Sequence, residues 1–174
     1  MAKVNFGKLG LTRNNAIIEK NFNGFNIEIK EYLPVEEKLN LISDVLNSSV
    51  DEHNYYNPAK LHIFKILHVV YAYTNVSFTE KQKEDVYKLF DLMMGSGLIQ
   101  LVLNTVPEEE LLFIQEAVEE TIKSIYAYKN SAAGIMESIG QDYSNLNLDA
   151  TEIQQKLADP NNLELLKEIL TKLG

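Results

Sequence analysis

His53, His62 and His68 are the only imidazoles in the chain, and cysteine is absent, so nucleophilic or metal chemistry has few residues to use. A zinc site needs several ligands converging at about 2 Å from the ion. His62 and His68 are six residues apart, which leaves them roughly 120° out of line on a helix. They read as helix-surface or hydrogen-bonded core histidines. His53 lies in a polar loop with no serine or threonine motif beside it. The small residues of Gly7-Lys-Leu-Gly10 and Gly95-Ser-Gly97 lack the Lys-Ser/Thr end of a phosphate loop. Gly95-Ser-Gly97 reads instead as a helix stop.

The acidic clusters yield no catalytic pair either. Glu108-Glu-Glu110 and Glu119-Glu120 read as a solvated helical face and a favourable first turn, where carboxylates oppose the macrodipole, rather than as paired acids. Asp142, Asn145, Asn147 and Asp149 are oxygen-rich but lack the central glycine and terminal glutamate of a calcium loop. Tyr71, Tyr73, Tyr126 and Tyr128 sit among apolar residues and read as core or interface edges rather than base-stacking platforms. No catalytic, cofactor-binding or metal-binding residue is therefore assigned, and a non-enzymatic protein is expected.

Composition narrows the class further. The 174 residues, 45% hydrophobic and 24% charged, suit one globular domain. A formal charge of -9 argues against nucleic acid as a partner, because phosphate backbones attract cations. Without cysteine there are no disulfides. Met1 to Lys20 lacks the apolar stretch of a secretory signal, and the run from Leu61 to Tyr73 is interrupted by His62, Lys65 and His68. A cytoplasmic location without membrane contact is expected.

The fold class expected is mainly α: an N-terminal β-hairpin followed by a bundle of about six helices. Residues 1–15 have no sustained period and form an extended arm whose Val4, Phe6, Leu9 and Leu11 need a cover. Residues 16–174 form a single mainly helical domain, with the hairpin at 16–32. Its turn is Asn23-Gly24, suited to the positive φ angles of a two-residue type I′ turn. That turn sets Phe22 opposite Phe25, Lys20 opposite Ile27 and Ile18 opposite Ile29, giving one largely apolar face.

Helical periods follow. Pro34 opens a first helix with Val35, Leu39, Ile42, Val45 and Leu46 on the buried stripe to about Ser49. Asn57-Pro58 caps and starts a second helix through Tyr73, apolar nearly all round and expected at the core's centre. Thr79 with Gln82 forms a capping box for a third, carrying Val86, Leu89, Phe90 and Met93 to Gly95. Leu98 to Leu103 is a short helix. Thr105, Pro107 and Glu108 then open a long one, with Leu111, Ile114, Val118, Ile122, Ile125 and Tyr126 on one side. It continues past Gly134 to Ile139, or breaks at that glycine. A helical pair at 149–173 closes the chain, its last member carrying Leu163, Leu166, Leu170 and Leu173 at steps of three and four.

The stretch Phe22-Asn-Gly-Phe-Asn-Ile-Glu-Ile-Lys-Glu-Tyr-Leu-Pro-Val-Glu-Glu-Lys-Leu39 resembles the opening of small tail-gene proteins from phages of Gram-positive bacteria. Phe78-Thr-Glu-Lys-Gln-Lys-Glu-Asp85, Asp142-Tyr-Ser-Asn-Leu-Asn-Leu-Asp149 and Lys156-Leu-Ala-Asp-Pro160 are similar to the same group, so the resemblance covers most of the chain. It implies a role in virion assembly, with the tail assembly chaperone encoded near the tape-measure gene as the nearest match, and it carries over no catalytic residues. The partners implied are other phage proteins such as the tape-measure or tail-tube protein, or a second copy of the chain. The location implied is the host cytoplasm or the virion.

On this reading the partner-binding residues are Phe22, Phe25 and Ile27 of the hairpin and Leu163, Leu166, Leu170 and Leu173 of the last helix. Strand addition and helix docking are the expected modes. The alternative is a phage-encoded acidic inhibitor whose carboxylates occupy a basic host defence protein. It predicts that Glu108, Glu109 and Glu110 matter for binding.

Overall fold

In the computed structural model, which describes residues 3–52 and 55–145, the chain begins with a short 3-10 turn at Phe6–Leu9 and then forms the hairpin. Strands β1 (Ile17–Phe22) and β2 (Phe25–Lys30) pair antiparallel in the expected register, Phe22 with Phe25, Lys20 with Ile27 and Ile18 with Ile29. The turn explains the fit: Asn23 and Gly24 have φ of 53° and 84°, conformations that asparagine and glycine tolerate. A third segment lies along the outer edge of β2. Thr74 bridges Ile29, the Asn75 N–H donates to the Glu28 carbonyl at 3.2 Å, and the Glu28 N–H donates to Asn75 Oδ1 at 3.1 Å.

The architecture is mainly α, with an N-terminal hairpin followed by seven helices within the described residues. The chain divides into two compact units, Met1–Ile122 and Lys123–Gly174. The first unit holds the hairpin, α1 (Val35–Ser49), α2 (Pro58–Tyr73), α3 (Glu80–Glu84), α4 (Val86–Ser96), α5 (Leu98–Leu103) and most of α6 (Glu108–Lys129). The second takes in the last turns of α6 and α7 (Ala132–Asn145). The expected helical pair at 149–173 lies outside the described residues, as does His53.

Local signals place most helix ends. The Asn57 side chain accepts from the Ala59 and Lys60 N–H groups ahead of α2. Thr79 and Gln82 form the reciprocal capping box of α3. Gly97, at φ 82°, ends α4 and opens α5. Two boundaries differ from expectation. The third helix is split, because Asp85 leaves helical geometry and accepts from the Lys88 N–H as a new cap. The Thr105 hydroxyl donates back to the Leu101 carbonyl and closes α5, so it does not cap α6.

The core of the first unit gathers Ile27 and Ile29 of the hairpin, Leu33, α1 and α2, with Leu89, Met93, Ile99, Val102, Ile114 and Val118 from the later helices. Helix α2 contributes Ile66, Leu67, Val69, Val70 and Tyr73, and Leu61, Ile63 and Phe64 are half-buried beside them. Its nearly continuous apolar surface reflects neighbours on several sides. On α1 the buried stripe is Lys38, Leu41, Ile42, Val45, Leu46 and Ser49, while Val35 and Leu39 face solvent. The stripe is thus turned away from the two apolar residues expected at its start. Lys38 and Ser49 take their place because each is satisfied: Ser49 Oγ donates to the Val45 carbonyl at 2.6 Å, and Lys38 has a partner on α6.

In the second unit the break comes at Asn130–Ser131 rather than at Gly134. The Ser131 hydroxyl donates to the Tyr128 carbonyl at 2.6 Å and accepts from the Gly134 N–H at 3.2 Å, ending one helix and starting the next. Gly134 is required for a different reason than a kink: a Cβ there would collide with the Tyr128 carbonyl.

Candidate functional site

The most constrained group of polar side chains lies where the hairpin exit, α1, α2 and α6 meet. Lys38 is 5% exposed, an unusual burial for a lysine, and its Nζ lies 2.6 Å from Glu110 Oε1. The other carboxylate oxygen of Glu110 accepts from the Tyr73 hydroxyl at 2.8 Å and from the Leu33 N–H at 3.1 Å. The ammonium also lies 4.3 Å from the Tyr32 ring centre and 5.0 Å from that of Phe113, so aromatic faces supply the rest of its environment. Burial first, and then the hydrogen bond to Glu110, raise the Tyr73 hydroxyl well above its ordinary value of 10.0, so it stays a donor.

Glu110 is therefore no part of a solvated acidic patch, as the sequence had suggested. It ties four segments together, and only Glu108 and Glu109 of the three stand in solvent. The chemistry of this cluster is structural: each oxygen is engaged, and no buried side-chain nitrogen or oxygen among the described residues lacks a partner. Tyr73 is buried in the core, one of the two settings read for it, but the joint it makes with Lys38 and Glu110 was not legible in the sequence. The available signal was Lys38 itself, which falls three and four residues before Leu41 and Ile42 on the buried stripe.

His62 and His68 have different settings. His62 is exposed on α2, whereas His68 is half-buried with its ring near those of Phe64 and Tyr71, at 6.4 and 5.5 Å between centres. Burial holds His68 below its ordinary value, against a weaker upward pull from Asp44. Among the described residues no three His, Cys, Asp or Glu side chains are grouped to hold a metal ion. A surface hollow lies between α3 and α4, lined by Lys81, Lys88, Glu84 and Asp85 with Leu89 and Leu92. Its charges are balanced, and the Asp85 carboxylate is occupied as a helix cap.

The surface features that break the usual partition are apolar. Phe25, at the hairpin tip, is 75% exposed, and Val4, Phe6, Leu9 and Leu11 of the arm are exposed along their whole length. The hairpin trio proposed for partner binding is split: Phe25 is open, Phe22 is half-buried against the core and Ile27 is inside it. Ile27 cannot meet a partner while the hairpin stays folded, because its strand turns it inward with Ile29. Leu163, Leu166, Leu170 and Leu173 lie outside the described residues. Exposed apolar residues also occur on α4 (Tyr87, Leu92 and Met94) and on α6 (Leu112 and Phe113).

No family model, curated protein or solved structure matches this chain.

Proposed function

We propose that this chain is a non-enzymatic binding protein that acts on other protein chains, and specifically a phage tail assembly chaperone or related virion assembly protein. The observation that carries the binding part is the display of Phe25, three-quarters exposed at the tip of a well-formed hairpin, together with an arm bearing four exposed apolar side chains. Soluble proteins seldom keep such residues grouped and open unless another surface covers them. The tail-assembly part rests on the resemblance of Phe22 to Leu39 and the three later stretches to phage tail-gene proteins.

A tape-measure or tail-tube protein with apolar segments to cover is the partner this reading assigns to such a surface. Strand addition would use the free edge of β1, since Thr74 and Asn75 already cover that of β2. No helix among the described residues is long and apolar enough to cross a membrane. The host cytoplasm, and then the virion, are the proposed locations.

Co-expression with the products of the flanking genes tests this reading. Capture of a tape-measure or tail-tube protein by the full chain, weakened by Phe25→Asp, is the expected result. Flanking genes unrelated to tails, or capture unaffected by that substitution, would sink it.

A further inference from the structure

We propose that the arm of one copy of this chain docks on the α6 surface of a second copy, setting Phe6 and Leu9 against Leu112 and Phe113 and Lys3 and Lys8 beside Glu109 and Glu116.

Charge distribution is the first support. The arm carries Lys3, Lys8 and Arg13 and no acidic residue, a net +3 within a chain of net -9, which leaves -12 on the remainder. Each copy thus holds both a basic apolar arm and a body that attracts it. The arm is also shaped for docking. Asn5 Oδ1 accepts from the Gly7 N–H at 2.9 Å, the Lys8 N–H donates to the Asn5 carbonyl at 3.0 Å, and Gly10 turns the chain at φ 62°. With three residues per 3-10 turn, Phe6 and Leu9 lie on one side, so the apolar knob exists before contact and less ordering is needed to bind.

The acceptor is chosen by charge among the exposed apolar surfaces. Between Glu108 and Ile122, α6 carries six glutamates and no basic residue. Glu110 turns inward to Lys38, while Leu112 and Phe113 are each close to half exposed. Glu109 lies one turn before Phe113 and Glu116 one turn after Leu112, flanking the apolar pair with carboxylates. On α4, by contrast, Leu92 and Tyr87 stand beside Lys88 and Asp91, which cancel. On α1, Val35 already borders a groove shared with the arm's own root at Thr12 to Asn14. Reciprocal exchange of arms gives two identical contacts about a two-fold axis.

This inference does not rest on tail assembly, and it can fail while that reading stands. The full chain is measured by sedimentation at about 50 and about 500 mM NaCl, where screening differs strongly. A dimer at low salt, weakened about tenfold at high salt by loss of several surface charge pairs, is expected. Lys3→Glu/Lys8→Glu should be monomeric, and so should Glu109→Lys/Glu116→Lys. Mixing the two variants should restore a heterodimer, since each arm then meets a surface of opposite charge. Folding of both is checked by far-ultraviolet circular dichroism, and Phe6→Ser/Leu9→Ser gives a charge-neutral second route to the monomer. A full chain that is monomeric at low salt overturns the proposal, as does a dimer that survives either charge reversal.

Discussion

The junction around Glu110 and the N-terminal arm both invert the ordinary partition of residues, in opposite senses. At the junction a lysine, a glutamate and a tyrosine hydroxyl are taken out of water; in the arm four apolar side chains are left in it. The first inversion is compensated inside the chain, because Lys38, Tyr73 and Leu33 all converge on one carboxylate. The arm has no such internal compensation, its apolar residues being exposed from Val4 to Leu11. Inverted burial with partners in place marks a joint of the fold; inverted exposure leaves apolar side chains uncovered, and it is this surface that the proposed binding role would use.

The sharpest way to separate the two is to remove Glu110. Glu110→Ala strands a buried ammonium and should lower stability by about 3–5 kcal/mol, read by chemical denaturation. Adding Lys38→Met should recover the portion due to the stranded charge, leaving the deficit of the orphaned Leu33 N–H and Tyr73 hydroxyl. Recovery to full stability would mean those two hydrogen bonds contribute little. A smaller loss belongs to the hairpin: Gly24→Ala at φ 84° should cost about 1–2 kcal/mol by the same assay.

The pH dependence is gentler still. Because burial holds His68 below 6.5, the unfolded chain accepts a proton under that value which the folded chain resists. Stability is therefore retained above pH 6.5 and declines as the pH falls below it. His68→Phe should flatten that part of the profile in thermal melts at stepped pH; an unchanged slope would assign it to other groups. Smallest of all is the arm's own contribution to folding. Phe6→Ser should shift stability by no more than about 0.5 kcal/mol while reducing self-association, so that stability and assembly respond to opposite ends of the comparison.

What could be read in advance followed the range of the physics involved. The hairpin register was legible because Asn23-Gly24 fixes it within a few residues, and the Asn57 and Thr79 caps because the N–H groups they accept from lie two or three positions away. The rotation of the α1 stripe was not, since burying Lys38 becomes tolerable only through a glutamate 72 residues later. For the same reason Glu110 looked like its exposed neighbours Glu108 and Glu109. The split at Asp85 was missed because one residue served both as the end of α3 and as the cap of α4. Of the hairpin site, alternation alone could not tell Phe25 from Ile27: they share a face, yet Phe25 stays exposed while Ile27, and in part Phe22 opposite Phe25, pack against the core.

Asn75 has one more consequence. The side chain and backbone of this single asparagine shut the β2 margin at Glu28 with two hydrogen bonds. A strand cannot join at that position, so any lateral extension of the ribbon is confined to the β1 side, which removes one of the two directions in which a bare hairpin could aggregate.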